Sequence, residues 1–432
     1  MKRKITENLL QWKNKPSGRM PLLVYGARQV GKTYIIREFG GLYYQNVAYF
    51  NLETNQTVSS YFSDNIEPGR ILRFLEAESH ERIIPGDTLI IFDEIQSCPC
   101  ALTSLKYFNE QMPEYHIIGA GSLPGVAIKR ENYSFPVGNV DFITMFPLDM
   151  EEYLWALGEE RLCEEIKCAF TANEALPEVL HEKALDLYRQ YLVTGGMPRA
   201  ILESIETKSL LTVPDVQNKI MNDYIADMAK YATNTQSVKI RAVYNSIPVQ
   251  LAKENRKFQY KLAQRGGTAA IFGEAIEWLD FAGIVLKCER LEHAIMPISV
   301  YRDLSSFKLY MSDVGLLAMK SGIAQQTVLS AGKIGNIFLG AVTENYVAQA
   351  LANKKYGLYY WTNGTAAELD FVLQKDDEII AVEVKTGTRT KSKSLNAFVE
   401  KYNPSYSIRI SAKNFGFKNN IKSVPLYAVF CI

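Results

Sequence analysis

The sequence predicts an α/β protein whose N-terminal part contains a parallel sheet. Two observations support this fold class: short apolar runs, and helical stretches that separate them. Helical stretches such as 32–39 and 101–112 alternate with short apolar runs that have the length of buried strands. These runs are residues 21–25, 47–53, 88–94 and 115–122. Strands that alternate with helices favour a parallel sheet that is covered on both faces.

The remainder of the chain changes its pattern twice. Residues 146–257 are mostly helical in pattern, with few strand-like runs. Residues 260–291 predict a helix, a Gly-Gly turn, a second helix and a strand after Gly283, and 307–318 predict another strand. This order resembles a winged helix. The last hundred residues begin with a helix and continue with three strand-like runs, which predicts a second, smaller α/β unit.

The first strand leads into a loop that fits the pattern GxxxxGK[ST], with an apolar strand before it and a helix after it. Backbone N–H groups of such a loop converge on phosphate oxygens, and the dipole of the following helix adds to the attraction. We expect ATP here, with the Lys32 ammonium on the β- and γ-phosphates and the Thr33 hydroxyl on Mg²⁺. The expected nucleotide-binding residues are Gly26, Ala27, Arg28, Gln29, Val30, Gly31, Lys32 and Thr33.

Two acids, Asp93 and Glu94, end the apolar run that starts at residue 88. Open α/β sheets bind their ligands at the C-terminal ends of strands. We therefore expect Asp93 to hold Mg²⁺, and Glu94 to act as the catalytic base that orients the attacking water, with Lys32 as the second catalytic residue. The alternative is that the two acids only cap a helix.

Three further residues are candidates for the same reaction. Ser122 ends another strand, where a polar side chain can sense the γ-phosphate, although a plain strand-end serine is an alternative. Arg130 and Arg199 are candidates for an arginine finger, and both could also be ordinary surface residues.

The segments YGARQVGKT (25–33), IIFDEIQ (90–96), GAGSLPG (119–125), LVTGGMPRAI (192–201) and AVEVKTG (381–387) occur in this order. In this combination the chain resembles the prokaryotic AAA-family ATPases that carry a C-terminal domain of unknown function. The resemblance covers nearly the whole chain. It implies a P-loop NTPase core, a helical lid, a winged-helix domain and a small restriction-endonuclease-like α/β domain. We expect these at residues 1–160, 161–230, 231–320 and 321–432.

A second set of candidate site residues lies in the C-terminal unit. In the strand 379–385, alternation places Glu383 and Lys385 on one face, and Asp370 begins the preceding apolar strand. We expect Asp370 and Glu383 to hold Mg²⁺ while Lys385 positions a water. Glu344 lies on a largely apolar helix face, which predicts a partner or a metal nearby.

This pattern resembles the PD-(D/E)xK nuclease arrangement, although the motif lacks its proline. The alternative is a charged strand edge with a Glu–Lys pair. Nuclease-like folds are also retained for binding, so both binding and cleavage of nucleic acid stay open here.

Charge and composition limit the remaining choices. The formal net charge of +1 excludes a polycation, but residues 385–422 hold nine Lys or Arg and one Glu. That basic segment either contacts DNA or forms the solvated edge of a small domain. The six cysteines form no CxxC pair, so zinc is not expected. No apolar run reaches the ~18 residues of a membrane span, and we expect a cytoplasmic protein.

The expected recognition helix of the winged-helix part, 268–281, contains three acids and no Lys or Arg. Phosphate contacts dominate DNA affinity, so an acidic helix is a poor groove reader, and we expect it to pack against another domain or a protein. The acids are Glu274, Glu277 and Asp280, and the expected core stripe is Ile271, Ala275, Trp278 and Leu279.

Three functions remain open from the sequence. The first is a Mg²⁺-dependent ATPase that drives or gates an output directed at nucleic acid or protein. The second is a nucleotide-controlled switch that binds a protein partner with little turnover. The third is an ATP-gated DNA endonuclease. Because AAA-like cores often complete one subunit's site with a neighbour's arginine, assembly into an oligomer also stays open.

Overall fold

A computed structural model of the protein describes residues 1–121, 136, 138–330, 337–364, 367–387 and 393–432. The chain divides into two compact units. The N-terminal unit consists of Arg3–Phe146 and Phe281–Gly283. The C-terminal unit consists of Met1–Lys2, Pro147–Asp280 and Ile284–Ile432. Among the described residues, no helix is both long enough and apolar enough to span a bilayer.

The N-terminal unit contains a five-stranded sheet with the order β2-β3-β4-β1-β5, and all neighbouring strands are parallel. Its strands are β1 (Leu22–Tyr25), β2 (Asn46–Asn51), β3 (Thr88–Asp93), β4 (His116–Gly121) and β5 (Asp141–Thr144). Its helices are α1 (Ile5–Lys13), α2 (Lys32–Tyr43), α3 (Gln56–Asp64), α4 (Pro68–Ser79) and α5 (Pro99–Gln111). Since β4 lies between β1 and β3, the C-terminal ends of these three strands are adjacent.

Both faces of this sheet are covered by helices. All six residues of β3 are buried, as expected for a central strand of a parallel sheet. Ile90 and Phe92 belong to a core shared with α3, α4 and α5. On the opposite face, α2 packs so closely that a Cβ at Gly40 would lie 3.3 Å from a methyl group of Leu89. The expected parallel sheet is therefore present, with strands close to the predicted bounds.

The C-terminal unit begins with a run of helices. These are α6 (Met150–Ala156), α7 (Glu160–Ala172), α8 (Glu178–Thr194), α9 (Pro198–Thr207), α10 (Val213–Tyr231) and α11 (Asn234–Leu251). Capping boxes begin two of them: Asp149 and Glu152 at α6, and Thr233 and Gln236 at α11. The helical pattern predicted for 146–257 is confirmed.

The expected helix–turn–helix–strand order follows, with α12 (Tyr260–Ala263), α13 (Ala269–Phe281), β6 (Val285–Leu291) and β7 (Arg302–Met311). The strand predicted at 307–318 is wrong in its second half, where residues Val314–Lys320 form a helix. The predicted core stripe of α13 needs one correction. Ile271 is 40% exposed, whereas Phe272 is fully buried in its place. Ala275, Trp278 and Leu279 are buried as predicted. Both apolar side chains fit a helical period, so only the packing decides which one points inward.

The helices of the remaining chain are α14 (Val314–Lys320), α15 (Gln325–Leu329), α16 (Ile337–Asn353) and α17 (Lys393–Tyr402). The strands are β8 (Tyr359–Asn363), β9 (Ala367–Leu369), β10 (Phe371–Lys375), β11 (Glu378–Val384), β12 (Ser407–Ser411), β13 (Gly416–Lys418) and β14 (Ile421–Pro425). The single strand predicted around 368–373 is thus divided at Asp370 into β9 and β10.

Two sheets organise this part of the unit. One is five-stranded with the order β10-β11-β12-β14-β13. The other has the order β7-β6-β8-β9, with β6 and β8 parallel. The second sheet therefore joins strands on both sides of residue 320, where we placed a domain boundary. The domain boundaries themselves stay predictions.

Candidate functional site

The loop between β1 and α2 is bent by two glycines. Gly26 has φ 150°, and a Cβ there would lie 2.0 Å from the carbonyl oxygen of Met145. Gly31, directly before α2, has φ 95°. Glycine adopts these conformations without steric cost. The backbone between the two glycines is thus able to turn tightly, as a phosphate-binding loop requires.

The Lys32 ammonium group lies within this loop. Its side chain is only 7% exposed, and Nζ donates hydrogen bonds to the carbonyl oxygens of Gly26 (2.9 Å) and Ala27 (2.8 Å). The loop's own oxygens therefore hold the ammonium group inside the turn. Phosphate oxygens placed there would be acceptors for the same N–H groups.

Thr33 and Asp93 meet at the C-terminal edge of the sheet. Thr33 Oγ1 lies 3.1 Å from Oδ1 and 3.0 Å from Oδ2 of Asp93. The Asp93 carboxylate also accepts hydrogen bonds from the hydroxyl of Tyr49 (2.7 Å) and the amide of Glu94 (3.1 Å). All of these donors are neutral, and within the described ranges no Lys or Arg forms an ion pair with Asp93. Hydroxyl and carboxylate oxygens are ligands that Mg²⁺ prefers, so this pair fits the metal.

Glu94 adopts a left-handed backbone conformation, with φ 52° and ψ 42°. For a residue other than glycine this costs about 1–3 kcal/mol, and such strain concentrates at functional sites. The Glu94 carboxylate accepts a hydrogen bond from the side-chain amide of Gln96. Gln96 in turn packs against the end of β4, because a Cβ at Gly121 would lie 2.5 Å from its Oε1. The carboxylate next to Asp93 is therefore oriented by a fixed neighbour.

The other loop residues differ in burial and backbone conformation. Ala27 and Val30 are buried, and Gln29 has a positive φ of 64°. Arg28 is partly exposed, with its guanidinium 3.7 Å from the carboxylate of Glu53.

Sequence reasoning missed three residues of this site. They are Tyr49, Gln96 and Arg3, whose guanidinium group donates a hydrogen bond to the carbonyl oxygen of Val30 in the loop. Burial raises the pKa of the Tyr49 phenol, and its hydrogen bond to Asp93 adds to the shift. The phenol consequently stays a hydrogen-bond donor to Asp93. Nothing in the alternating run 47–53 marks Tyr49, whereas Gln96 stands in a quoted motif and could have been noticed.

Three further candidates were expected from the sequence. Ser122 and Arg130 lie outside the described residues. Arg199 is exposed in the first turn of α9, in the C-terminal unit. Arg199 forms no ion pair with any residue that the structure describes.

Asp370, Glu383 and Lys385 come together at the C-terminal end of β11. Asp370 Oδ2 accepts a hydrogen bond from the amide of Val384 (2.8 Å). Lys385 Nζ lies 3.2 Å from Oε1 of Glu383, so these two side chains share a face as the strand alternation predicted. Arg409, the register partner of Glu383 on β12, places Nε 3.5 Å from Oε2 of the same carboxylate.

Glu344 is 1% exposed on α16 and has cationic partners. Lys308 Nζ lies 2.9 Å from Glu344 Oε1, and the Arg256 guanidinium and the Tyr310 hydroxyl contact the same carboxylate. Lys308 is fully buried and also lies 2.6 Å from Glu368. The predicted partner of Glu344 is thus a group of protein cations.

These contacts do not favour a metal at the C-terminal acids. Glu383 and Glu344 each have two cationic side chains close by, and these would have to be displaced before a divalent ion could bind. Within the described ranges, no group of three or more His, Cys, Asp or Glu is arranged to hold a metal ion at either centre, so the difference between the centres lies in these cations. As they are arranged here, Glu344, Asp370 and Glu383 do not fit a Mg²⁺ site as well as Thr33 and Asp93 do.

Part of the basic segment is paired within the protein. Lys385 and Arg409 pair with Glu383, and Lys422 donates a hydrogen bond to the carbonyl of Phe170 (2.8 Å). Arg389 and Lys391 lie outside the described residues. The exposed members that the structure describes are Lys393, Lys401, Lys413 and Lys418.

Comparison with known families divides the chain into three matched segments. Residues 18–154 match the family described as an AAA domain. Residues 185–327 and 339–429 match two families that are each described as a domain of unknown function. A search of curated proteins found no match.

Among solved structures, the chain is similar to the Walker-type ATPase PABY2304 of Pyrococcus abyssi, with a TM-score of 0.44, 14% identity, and coverage of 74% of this chain and 95% of that one. The DNA complex of Aeropyrum pernix ORC1 gives 0.30, 13%, 74% and 91% for the same quantities. AMPPCP-bound DnaA from Aquifex aeolicus has a TM-score of 0.30 and 14% identity, and the match covers 65% of this chain and 89% of that one. These overall scores are too low to carry an assignment. The match of residues 18–154 to an AAA domain agrees with the geometry of the phosphate loop.

Proposed function

We propose that the protein binds ATP with Mg²⁺ at the loop 26–33 and hydrolyses it. The observation that carries this proposal is the contact between the Thr33 hydroxyl and the Asp93 carboxylate at the end of the phosphate loop. A hydroxyl at the start of a helix and an acid at the end of a neighbouring strand are the two protein ligands that P-loop NTPases use for Mg²⁺.

Each residue has a separate role in this proposal. The loop N–H groups and the Lys32 ammonium bind the phosphate oxygens. Thr33 and Asp93 hold the metal, which when bound supplies charge neutralisation to the phosphates. Glu94, oriented by Gln96, holds and polarises the attacking water. Ser122 remains a candidate sensor, and Arg199 a candidate arginine finger that is exposed as such a role requires.

The direct test is Mg²⁺-dependent ATP hydrolysis by the purified protein. We expect turnover that the Lys32→Ala variant loses, because its ammonium group is the charged donor within the loop. Lys106→Ala removes a surface lysine of α5 that lies 3.9 Å from Glu110, and it should keep full activity. Normal ATP binding and turnover by Lys32→Ala would reject the proposal.

The output of ATP hydrolysis is a second question, and the helix α13 favours a protein partner. Its exposed residues include Glu274 and Glu277, and the helix has no Lys or Arg, so it is poorly suited to a DNA groove. We infer a winged-helix-like module in 231–320 whose acidic helix contacts protein. Hydrolysis measured with and without DNA tests this inference, since stimulation by DNA would instead favour a nucleic-acid-directed output.

DNA cleavage by the C-terminal residues is the weaker alternative. The convergence of Asp370, Glu383 and Lys385 at one strand end supports it, and the pairing of Glu383 with two cations opposes it. We propose that this nuclease-like part binds nucleic acid without cleaving it. A supercoiled-plasmid nicking assay with Asp370→Asn decides the matter, because nicking that only the wild type performs would establish cleavage.

A further inference from the structure

The phosphate loop is held from behind by an arginine near the start of the chain. Arg3 belongs to the N-terminal unit and is 7% exposed. Its Nη1 donates a hydrogen bond to the carbonyl oxygen of Val30 (3.0 Å), and its Nη2 donates one to the carbonyl oxygen of Phe146 (2.7 Å). Hydrogen bonds from a charged donor are stronger than those between neutral groups, and burial strengthens them further.

The first of these bonds determines the orientation of a peptide group in the loop. The carbonyl of Val30 and the N–H of Gly31 belong to one planar trans peptide, so they point in opposite directions. When Arg3 binds the carbonyl, the N–H of Gly31 must point away from the guanidinium group. Gly31 has a left-handed φ of 95°, and since glycine can adopt many other conformations, the bond from Arg3 restricts this peptide to one orientation.

The second bond connects Arg3 to the other end of the same loop. Phe146 follows Met145, whose amide donates to the carbonyl of Tyr25 (2.7 Å) and whose own carbonyl packs against Gly26. One guanidinium group therefore links the rear of the loop, at Val30, to the segment that supports its front, at Gly26. Movement of either end would break a charge-assisted hydrogen bond of a buried side chain.

We propose that Arg3 is a positioning residue for the phosphates of the nucleotide. It keeps the Gly31 N–H directed at the position of the phosphate oxygens, and it places a buried positive charge behind the loop. This inference rests on the proposed ATP site, and it adds a residue outside the loop motif to it.

The test is the affinity for a fluorescent ATP analogue, measured by titration of the full-length protein. Arg3→Ala should weaken binding about 10- to 100-fold, the effect expected when one or two charge-assisted hydrogen bonds are lost. Arg3→Lys keeps the charge but lacks the two-pronged donor, so its affinity for the analogue should lie between those of the wild type and Arg3→Ala. It also serves as the test variant if Arg3→Ala does not fold.

Two controls separate positioning from general stabilisation. Arg19→Ala removes another arginine that donates to a carbonyl oxygen, that of Pro113, and it should bind the analogue as the wild type does. Low millimolar guanidinium ion should restore binding to Arg3→Ala, whereas the same concentration of sodium chloride should not.

The outcomes distinguish this inference from the proposed function. Wild-type protein that does not bind the analogue would reject both. Wild-type binding with equal affinity in a folded Arg3→Ala variant would reject only the role of Arg3. Arg3→Ala could also lose affinity that guanidinium does not restore and show a lower Tm. That result would show Arg3 to be merely structural.

Discussion

The two acidic centres of the protein differ in the charge of their partners. At the end of β3, Asp93 accepts hydrogen bonds only from neutral groups within the described chain. At the end of β11, Glu383 lies between Lys385 and Arg409. Both are nearly buried carboxylates at the C-terminal ends of strands, the position where α/β sheets bind ligands. Because these neighbours differ in charge, we expect a divalent cation at Asp93 and none at Glu383.

The largest effect is expected at Glu94, because a general base contributes about 10²- to 10⁴-fold to a rate. Glu94→Gln should lower kcat by that range and leave the affinity for ATP nearly unchanged. Steady-state kinetics together with analogue binding measure the two separately. Glu110→Gln, on the surface of α5, is the matched control. An unaltered kcat in Glu94→Gln would show that Glu94 is not the catalytic base.

The second prediction concerns the stability of the C-terminal unit. Glu344→Gln leaves the fully buried Lys308 with less countercharge, and breaking a buried ion pair costs about 3–5 kcal/mol. We expect the free energy of unfolding to fall by about 3 kcal/mol in a urea titration followed by tryptophan fluorescence. Glu368→Gln, at a partly exposed partner of the same lysine, should cost less. If Glu344 is a metal ligand instead, wild-type stability should depend on Mg²⁺.

The third prediction tests the charge comparison with Mn²⁺ as the probe. Electron paramagnetic resonance should detect one Mn²⁺ site per wild-type chain with an ATP analogue, and Asp93→Asn should weaken it about tenfold, the effect of ~1.4 kcal/mol. Asp370→Asn should not alter the count. The double variant Lys385→Gln, Arg409→Gln should gain a second site, because the two cations beside Glu383 are gone.

A wild-type chain that binds a second Mn²⁺, which Asp370→Asn abolishes, would contradict the comparison. It would assign a metal to the centre formed by Asp370 and Glu383 despite its cations.

The smallest effect is expected at Tyr49. Tyr49→Phe removes one hydrogen bond to Asp93, a loss of about 1 kcal/mol, or roughly fivefold in an equilibrium constant. The Mg²⁺ concentration for half-maximal ATP hydrolysis should rise by that factor. Tyr61→Phe is the control, because the Tyr61 hydroxyl donates to the backbone carbonyl oxygen of Arg70 at the surface. No change in Tyr49→Phe would mean that Thr33 and Glu94 suffice to orient Asp93.

Local sequence predicted much of the N-terminal centre. The strand before the loop, the helix after it and the acids at 93 and 94 are contiguous signals, and each follows from short-range chain geometry. The strand β5 was not predicted, because its four residues carry no clear alternation. Arg3 and Tyr49 could not be predicted either, since their contacts to Val30 and Asp93 join segments that only the folded sheet brings together.

By itself, the sequence determined the phosphate loop, the strand and helix on either side of it, and the candidate acids in both units. Tertiary structure alone decided the partners of those acids: neutral donors for Asp93, Lys385 and Arg409 for Glu383, and Lys308 with Arg256 for Glu344. The physical reason is that a strand or helix period specifies which face a side chain occupies. The charged or neutral side chains that contact that face belong to other segments of the chain, often distant in sequence.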